Sequence, residues 1–177
     1  MLLADGGIAA LAAADPHPKA RRLAQRDFGI PVFESLKKLL RRLRPDAVSI
    51  ATPDPFHRAV ALEAAAAGCH LLVEKPLATP SRDARAILAA ARRRRLLLQV
   101  DFHKRYDPIH IALREQVQTG QLGEVLYGYV HIENRIEIPR DWFGAWAARS
   151  SSNWFLGVHV YDLVRWVLGR DPVAVRA

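Results

Sequence analysis

DAVSIATPDPFHRAVALEAAAAGCHLLVEKP, residues 46–76, decides the fold. DAVSIATP (46–53) is a short apolar, partly β-branched run, and FHRAVALEAAAAG (56–68) is an Ala-rich helix that Gly68 closes. HLLVEKP (70–76) is a second short apolar run. Strand, helix, strand with continuously apolar strands describes a parallel pair joined by a right-handed crossover and covered on both faces. Sites in such sheets lie at the carboxyl ends of the strands. The turns ATPDP (51–55) and EKP (74–76) are therefore the first places to look for chemistry.

The same alternation extends in both directions. IAALAAAD (8–15) reads as an apolar run ending in Asp-Pro, PKARRLAQRDFGIP (18–31) as a helix stopped by Gly29 and Pro31, and ESLKKLLRRLRP (34–45) as a helix stopped by Pro45. SRDARAILAAARRRR (81–95) reads as a helix with Ser81 as its N-cap, and LLLQVDF (96–102) as the next strand. After about residue 105 the character changes. DPIHIALREQVQTGQLG (107–123) is helical, EVLYGYVHIENRIEI (124–138) is β-rich, GVHVYDLVRWVLG (157–169) is an amphipathic helix, and PVAVRA (172–177) opens a further strand. The fold class expected is α/β. An incomplete Rossmann-like, doubly wound parallel sheet over residues 1–103 precedes the start of an α+β substrate and oligomerisation domain over residues 104–177.

Composition narrows the function classes. Half of the 177 residues are hydrophobic and a quarter are charged, which suits a packed core. No apolar stretch is long enough for a membrane span, and the N-terminus has no basic leader ahead of its apolar residues. The single cysteine, Cys69, excludes an internal disulfide and a cysteine-based metal cluster, and it fits a reducing cytoplasm. The net charge of +8 gathers in KKLLRRLRP (37–45) and ARRRR (91–95). These runs read as solvated faces and basic ends of helices rather than as a nucleic-acid surface, since no recognition motif and no interleaved aromatics accompany them.

A complete dinucleotide-binding half places a strand, a G-x-G-x-x-G turn and a helix before the acidic residue that ends strand two. Asp15 fits that acidic position, yet only fourteen residues precede it, and ADGG (4–7) has the wrong spacing. The expectation is a chain truncated at both ends, without strand one and its phosphate loop.

AADPHPKARRLAQRDFGIPVF, DAVSIATPDPFHRAVALEAAAAGCHLLVEKPLA, VDFHKRYDP and GVHVYDLVRWVLG together resemble the Gfo/Idh/MocA family of oxidoreductases. The resemblance covers essentially the whole chain, and the ATP-x-x-x-H turn followed by EKP is its most specific part. It implies an NAD(P)-dependent oxidoreductase acting on a sugar, cyclitol or related polyol. It also implies an oligomer built on the open sheet of the second domain.

What the family implies, residue by residue, sits beside a plainer reading each time. Asp15 resembles the carboxylate that binds the adenosine ribose, and a carboxylate there favours NAD over NADP, with His17 and Lys19 leaving NADP open. It also suits a helix cap. Thr52 and Pro53 resemble residues lining the cofactor near the nicotinamide. His57 is either near that ligand or a surface histidine at a helix start. Lys75 resembles the lysine that contacts the reacting hydroxyl or carbonyl, aimed by Glu74 and Pro76, and a cis bond before Pro76 is expected. Arg105 is either part of the cleft wall or structural. His159 resembles the catalytic histidine, a general base, against the plainer reading of a packed helix histidine. Asp162, one turn on, orients a partner or caps.

Phe155 departs from the pattern, because the family usually places Asp four residues before the histidine. Trp142, Trp146 and Trp154 suit either a ring-shaped substrate or core packing. Two readings follow: an oxidoreductase, or a non-catalytic binding member or inactive fragment of the same family.

Overall fold

A computed structural model describes residue 7 and residues 11–176, apart from the Trp142 side chain. The proposed turn at 4–7 and the start of the first apolar run fall largely outside those residues. The first half of the chain consists of β1 (Ala13–Ala14), α1 (Pro18–Phe28), β2 (Val32–Phe33), α2 (Leu36–Leu43), β3 (Ala47–Ile50), α3 (His57–Ala66), β4 (His70–Glu74), α4 (Ser81–Arg93) and β5 (Leu98–Asp101). Then come α5 (Pro108–Gln118) and α6 (Val158–Leu168), with short helical turns between them.

All the strand pairing is parallel, as the apolar runs predict, but it forms two sheets. One has the order β1-β2 and the other β3-β4-β5. In the strand order 3-2-1-4-5-6 of dinucleotide-binding sheets, these are the two flanks of a central first strand. No strand among the described residues joins them. β2 is an addition to the sequence reading: two residues are too few to show a period.

In the larger sheet Ile50 pairs with Val73 and Glu74 with Asp101, so the strands end level and their turns emerge at one edge. Alternation along β4 turns Leu71 and Val73 into the core, where Val73 is fully buried. They meet Ile50, Ile87 and a face of α3 made of Ala61, Ala64 and Ala65, at helical spacing. Burying a side chain such as Ile87 contributes about 1.5–3 kcal/mol. On the opposite face Leu72 keeps 37% of its surface, so that side is less covered than the apolar runs predict. Gly29 closes α1 at φ 63°, where its N–H donates to the Gln25 carbonyl.

Three local expectations need correction. Ser81 is the first residue of α4 rather than its N-cap; Pro80 takes the cap position and no side chain caps there. The β-rich segment 124–138 forms no strand, and Leu126, Tyr127 and Tyr129 in it are exposed. A strand needs a neighbouring ladder, and no described element offers one to this segment. Residues 172–176 are likewise irregular, for the same reason. No described helix is long and apolar enough to cross a membrane.

Candidate active site

Among the described residues, the buried polar and charged side chains are Asp54, His57, Lys75 and His159. Burying such groups is costly unless they are paired. Asp54 and Lys75 come from the turns at the carboxyl ends of β3 and β4, His57 from the first residue of α3, and His159 from the first turn of α6.

Lys75 follows the last residue of β4, and the bond between it and Pro76 is cis, as expected. Lys75 is 8% exposed, and its amine donates to the Phe155 carbonyl at 2.9 Å and sits 4.1 Å from the centre of the Phe155 ring. Burial pushes its pKa below the ordinary lysine value, against the opposing pull of Asp54 and Glu74. Thus where the family pattern has Asp, Phe155 covers the amine with its ring and holds it with its backbone. The Phe155 ring meets Phe143 edge-on at 4.6 Å, and Phe143 stacks on Trp146 at 4.4 Å. Trp146 therefore packs against an aromatic neighbour; the expectation for Trp142 falls outside the described side chains. Trp154 is half-buried in the helical turn before α6. A largely apolar cavity of about 260 Å³ opens beside this cluster, lined by Ile136, Pro139, Phe143, Phe155 and Leu156 among others.

His159 is 5% exposed, and its ring lies edge-on to His103 at 4.9 Å and to Phe102 at 6.5 Å. Burial, then Lys75, His103 and Lys104, push its pKa down to about 4 despite the pull of Asp162. It is therefore neutral at physiological pH, as a base must be. Its Nδ1 is buried without a hydrogen-bond partner, and so is Thr52 Oγ1. Orphaned buried groups of this kind mark positions where a ligand completes the bonding.

Asp54 was not singled out in the sequence. It lies in the turn after β3, 7% exposed, and accepts a bond from Ser150 Oγ at 2.7 Å. A carboxylate inside an apolar-flanked turn was its only sequence signal. Thr52 and Pro53 lie in the same turn. His57 begins α3 as expected, but it is fully buried rather than on the surface. Glu74 ends β4 half-buried.

Asp15 directly follows β1, and its Oδ1 accepts from the His17 N–H at 2.7 Å in the turn before α1. The helix-cap reading is corrected: His17 takes the N-cap position of α1 and no side chain caps there. Arg105 and Asp162 meet each other: Arg105 Nε donates to Asp162 Oδ2 at 2.8 Å, and its Nη2 donates to Oδ1. This fork ties the turn after β5 to α6 and holds the Arg105 pKa above its usual value. Asp162 is the buried member, its side chain 8% exposed. Arg105→Met should therefore destabilise the fold by about 3 kcal/mol, because it leaves a buried carboxylate without its partner. A loss below about 1 kcal/mol in urea unfolding would mean that the pair is screened like a surface bridge.

Comparison with known proteins gives this constellation a context. Residues 4–102 match the model of an oxidoreductase family with an NAD-binding Rossmann fold, GFO_IDH_MocA. Residues 110–177 match a C-terminal domain of the same group. The chain is 32% identical to the D-glucoside 3-dehydrogenase of Escherichia coli K12 over 88% of its length, spanning 45% of that protein. It is 36% identical to an inositol 2-dehydrogenase of Rubrobacter xylanophilus over 86% of its length, spanning 42% of it. The chain thus spans less than half of these relatives. Among solved structures, it superposes on the myo-inositol 2-dehydrogenase of Lactobacillus plantarum with a TM-score of 0.81 at 25% identity, covering 94% of this chain and 50% of that one. The WlbA dehydrogenase of Bordetella pertussis, solved with NADH and UDP-GlcNAcA, gives 0.79 at 27% identity, covering 93% and 53%.

Proposed function

The chain belongs to the Gfo/Idh/MocA oxidoreductase family, and from this premise we propose that the intact protein moves hydride between a hydroxylated ring, a sugar or cyclitol, and a nicotinamide cofactor. Residues 1–103 then serve the cofactor and 104–177 the substrate. The observation that carries the reading is the gathering of Lys75, His159 and Asp54, all buried, at the carboxyl edge of a parallel sheet.

The orphaned Thr52 hydroxyl fits a bound cofactor at that edge. Asp15, Thr52, Pro53, Glu74, Lys75 and Pro76 are the residues that would hold it, with His57 behind them. When bound, the nicotinamide exchanges hydride with the substrate carbon. Lys75 donates a hydrogen bond to the reacting oxygen and stabilises the charge that develops on it. The His159 ring, neutral well below physiological pH, takes the hydroxyl proton in oxidation and returns it in reduction. The Asp15 carboxylate repels a 2′-phosphate, which favours NAD over NADP.

Exposed Ile109, Leu126, Tyr127 and Tyr129 support the expectation of a homo-oligomer, and the cytoplasmic location expected from the single cysteine is kept as part of this reading. Arginines in the last turns of α2 and α4 support helix-end roles over nucleic-acid contact. A second reading, binding without turnover, is favoured by Phe155, which covers Lys75 where a carboxylate would share its proton.

Oxidation of a panel of inositols and alkyl glucosides by the intact protein with NAD, followed by NADH absorbance, separates the two. Turnover is expected, and Asp15→Ser should shift the NAD-to-NADP preference toward NADP by at least about tenfold. Saturable NADH binding with no turnover on any substrate of the panel would favour the second reading.

A further inference from the structure

His57 is the most deeply buried polar side chain of the described residues, and no step above uses it. Its ring lies between two backbone carbonyls. Nδ1 is 2.7 Å from the Pro76 oxygen and Nε2 is 2.7 Å from the Thr52 oxygen. These oxygens belong to the two turns that matter: Pro76 directly follows Lys75, and Thr52 carries the orphaned hydroxyl. The residues that share the inward face of α3 with His57 are Ala61, Ala64 and Ala65, whose small side chains leave room for the imidazole under the sheet edge. The buried face of the helix thus presents one polar side chain, and both of its polar atoms face main-chain acceptors.

We infer that His57 is a positioning residue: a two-sided brace that fixes the turn carrying Lys75 against the turn carrying Thr52. Both carbonyls only accept, so each contact is made by a ring N–H donating outward, and both are made together when the ring carries two N–H groups. With the ring in place, the Pro76 carbonyl cannot swing, and the Lys75 backbone is held one residue from a fixed point. The amine is then aimed from two ends, by the brace behind its backbone and by the Phe155 carbonyl at its tip. The same ring sets the Thr52 backbone and, through it, the direction of the unpartnered hydroxyl. Misplacement of a reacting group by about 1 Å costs about a hundredfold in rate, so a brace of this kind controls kcat without touching a ligand. This rests on the proposed function only for its kinetic consequence.

Two substitutions separate the brace from mere filling of space. His57→Phe fills the site with a somewhat larger ring that has no N–H group, whereas His57→Gln keeps two N–H donors on one nitrogen, enough to hold one of the two carbonyls. In the intact enzyme, His57→Phe should lower kcat about a hundredfold with KM changed less than about threefold, and His57→Gln should recover about tenfold of the loss. Independently of activity, lysine 13Cε NMR of the chain, assigned with Lys75→Arg, reads the amine directly. Its depressed titration should persist in His57→Gln and move up toward the ordinary lysine value in His57→Phe, as the turn loosens toward water. An unchanged Lys75 titration in both variants would overturn the brace, as would a His57→Phe rate loss that His57→Gln does not recover. A shifted titration together with no turnover in wild type would keep the brace and reject the oxidoreductase reading. If neither variant folds, the ring N–H protons of wild-type His57 decide. Slow exchange supports the brace, and exchange as fast as in an exposed histidine overturns it.

Discussion

Lys75→Ala in the intact protein is expected to lower turnover by at least about a thousandfold, to a level indistinguishable from background. The amine is held by one hydrogen bond to a backbone carbonyl and by an aromatic face. Removing it deletes the donor for the reacting oxygen and leaves the Phe155 carbonyl without its partner. The same substitution has a second readout within the chain. Lys75 is one of the charges that push the His159 pKa down to about 4, so Lys75→Ala should move the His159 titration upward. Near-normal turnover, or an unmoved His159 titration, would separate Lys75 from the chemistry proposed for it.

His159→Asn is the second large effect, with an expected loss of about a hundredfold to ten-thousandfold in kcat, the range for loss of a general base. The pH dependence is as informative as the size. Because the folded ring titrates near 4, the acid limb of the wild-type profile should extend well below that of an ordinary histidine near 6.5. Stability should carry the same signature. Between pH 6.5 and 4 the unfolded chain binds a proton that the folded chain refuses, so stability falls on acidification through that window and levels below it. The fall attributable to this ring is at most about 3 kcal/mol. His159→Asn should flatten that part of the curve in thermal melts from pH 7 to 4. An acid limb near 6.5, or equal slopes in the two proteins, would put His159 in ordinary solvent contact.

Much of the site is local in sequence and was therefore legible. An apolar run followed by Glu-Lys-Pro already says that a lysine leaves a buried parallel strand at its carboxyl end, and β4 and its turn agree. The partners of that lysine were not legible. Lys75 and Phe155 are 80 residues apart, Asp54 and Ser150 are 96 apart, and Arg105 and Asp162 are 57 apart. No period or turn rule reaches that far. His57 failed for a similar reason: an ATP-x-x-x-H turn shows a histidine near a helix start, but its orientation depends on a carbonyl 19 residues later. Segment 124–138 erred in the other direction. Its composition suits a strand, but strand formation depends on neighbours that composition does not describe.

The hydrogen bond from Lys75 to position 155 ends on the main chain. Every amino acid offers that carbonyl, so the grip on the amine does not depend on which side chain position 155 carries. Position 155 is thus free to vary in charge and shape beside an amine that stays tethered. In evolutionary terms, substitutions there accumulate in single steps without first dismantling the hold on the lysine proposed for catalysis.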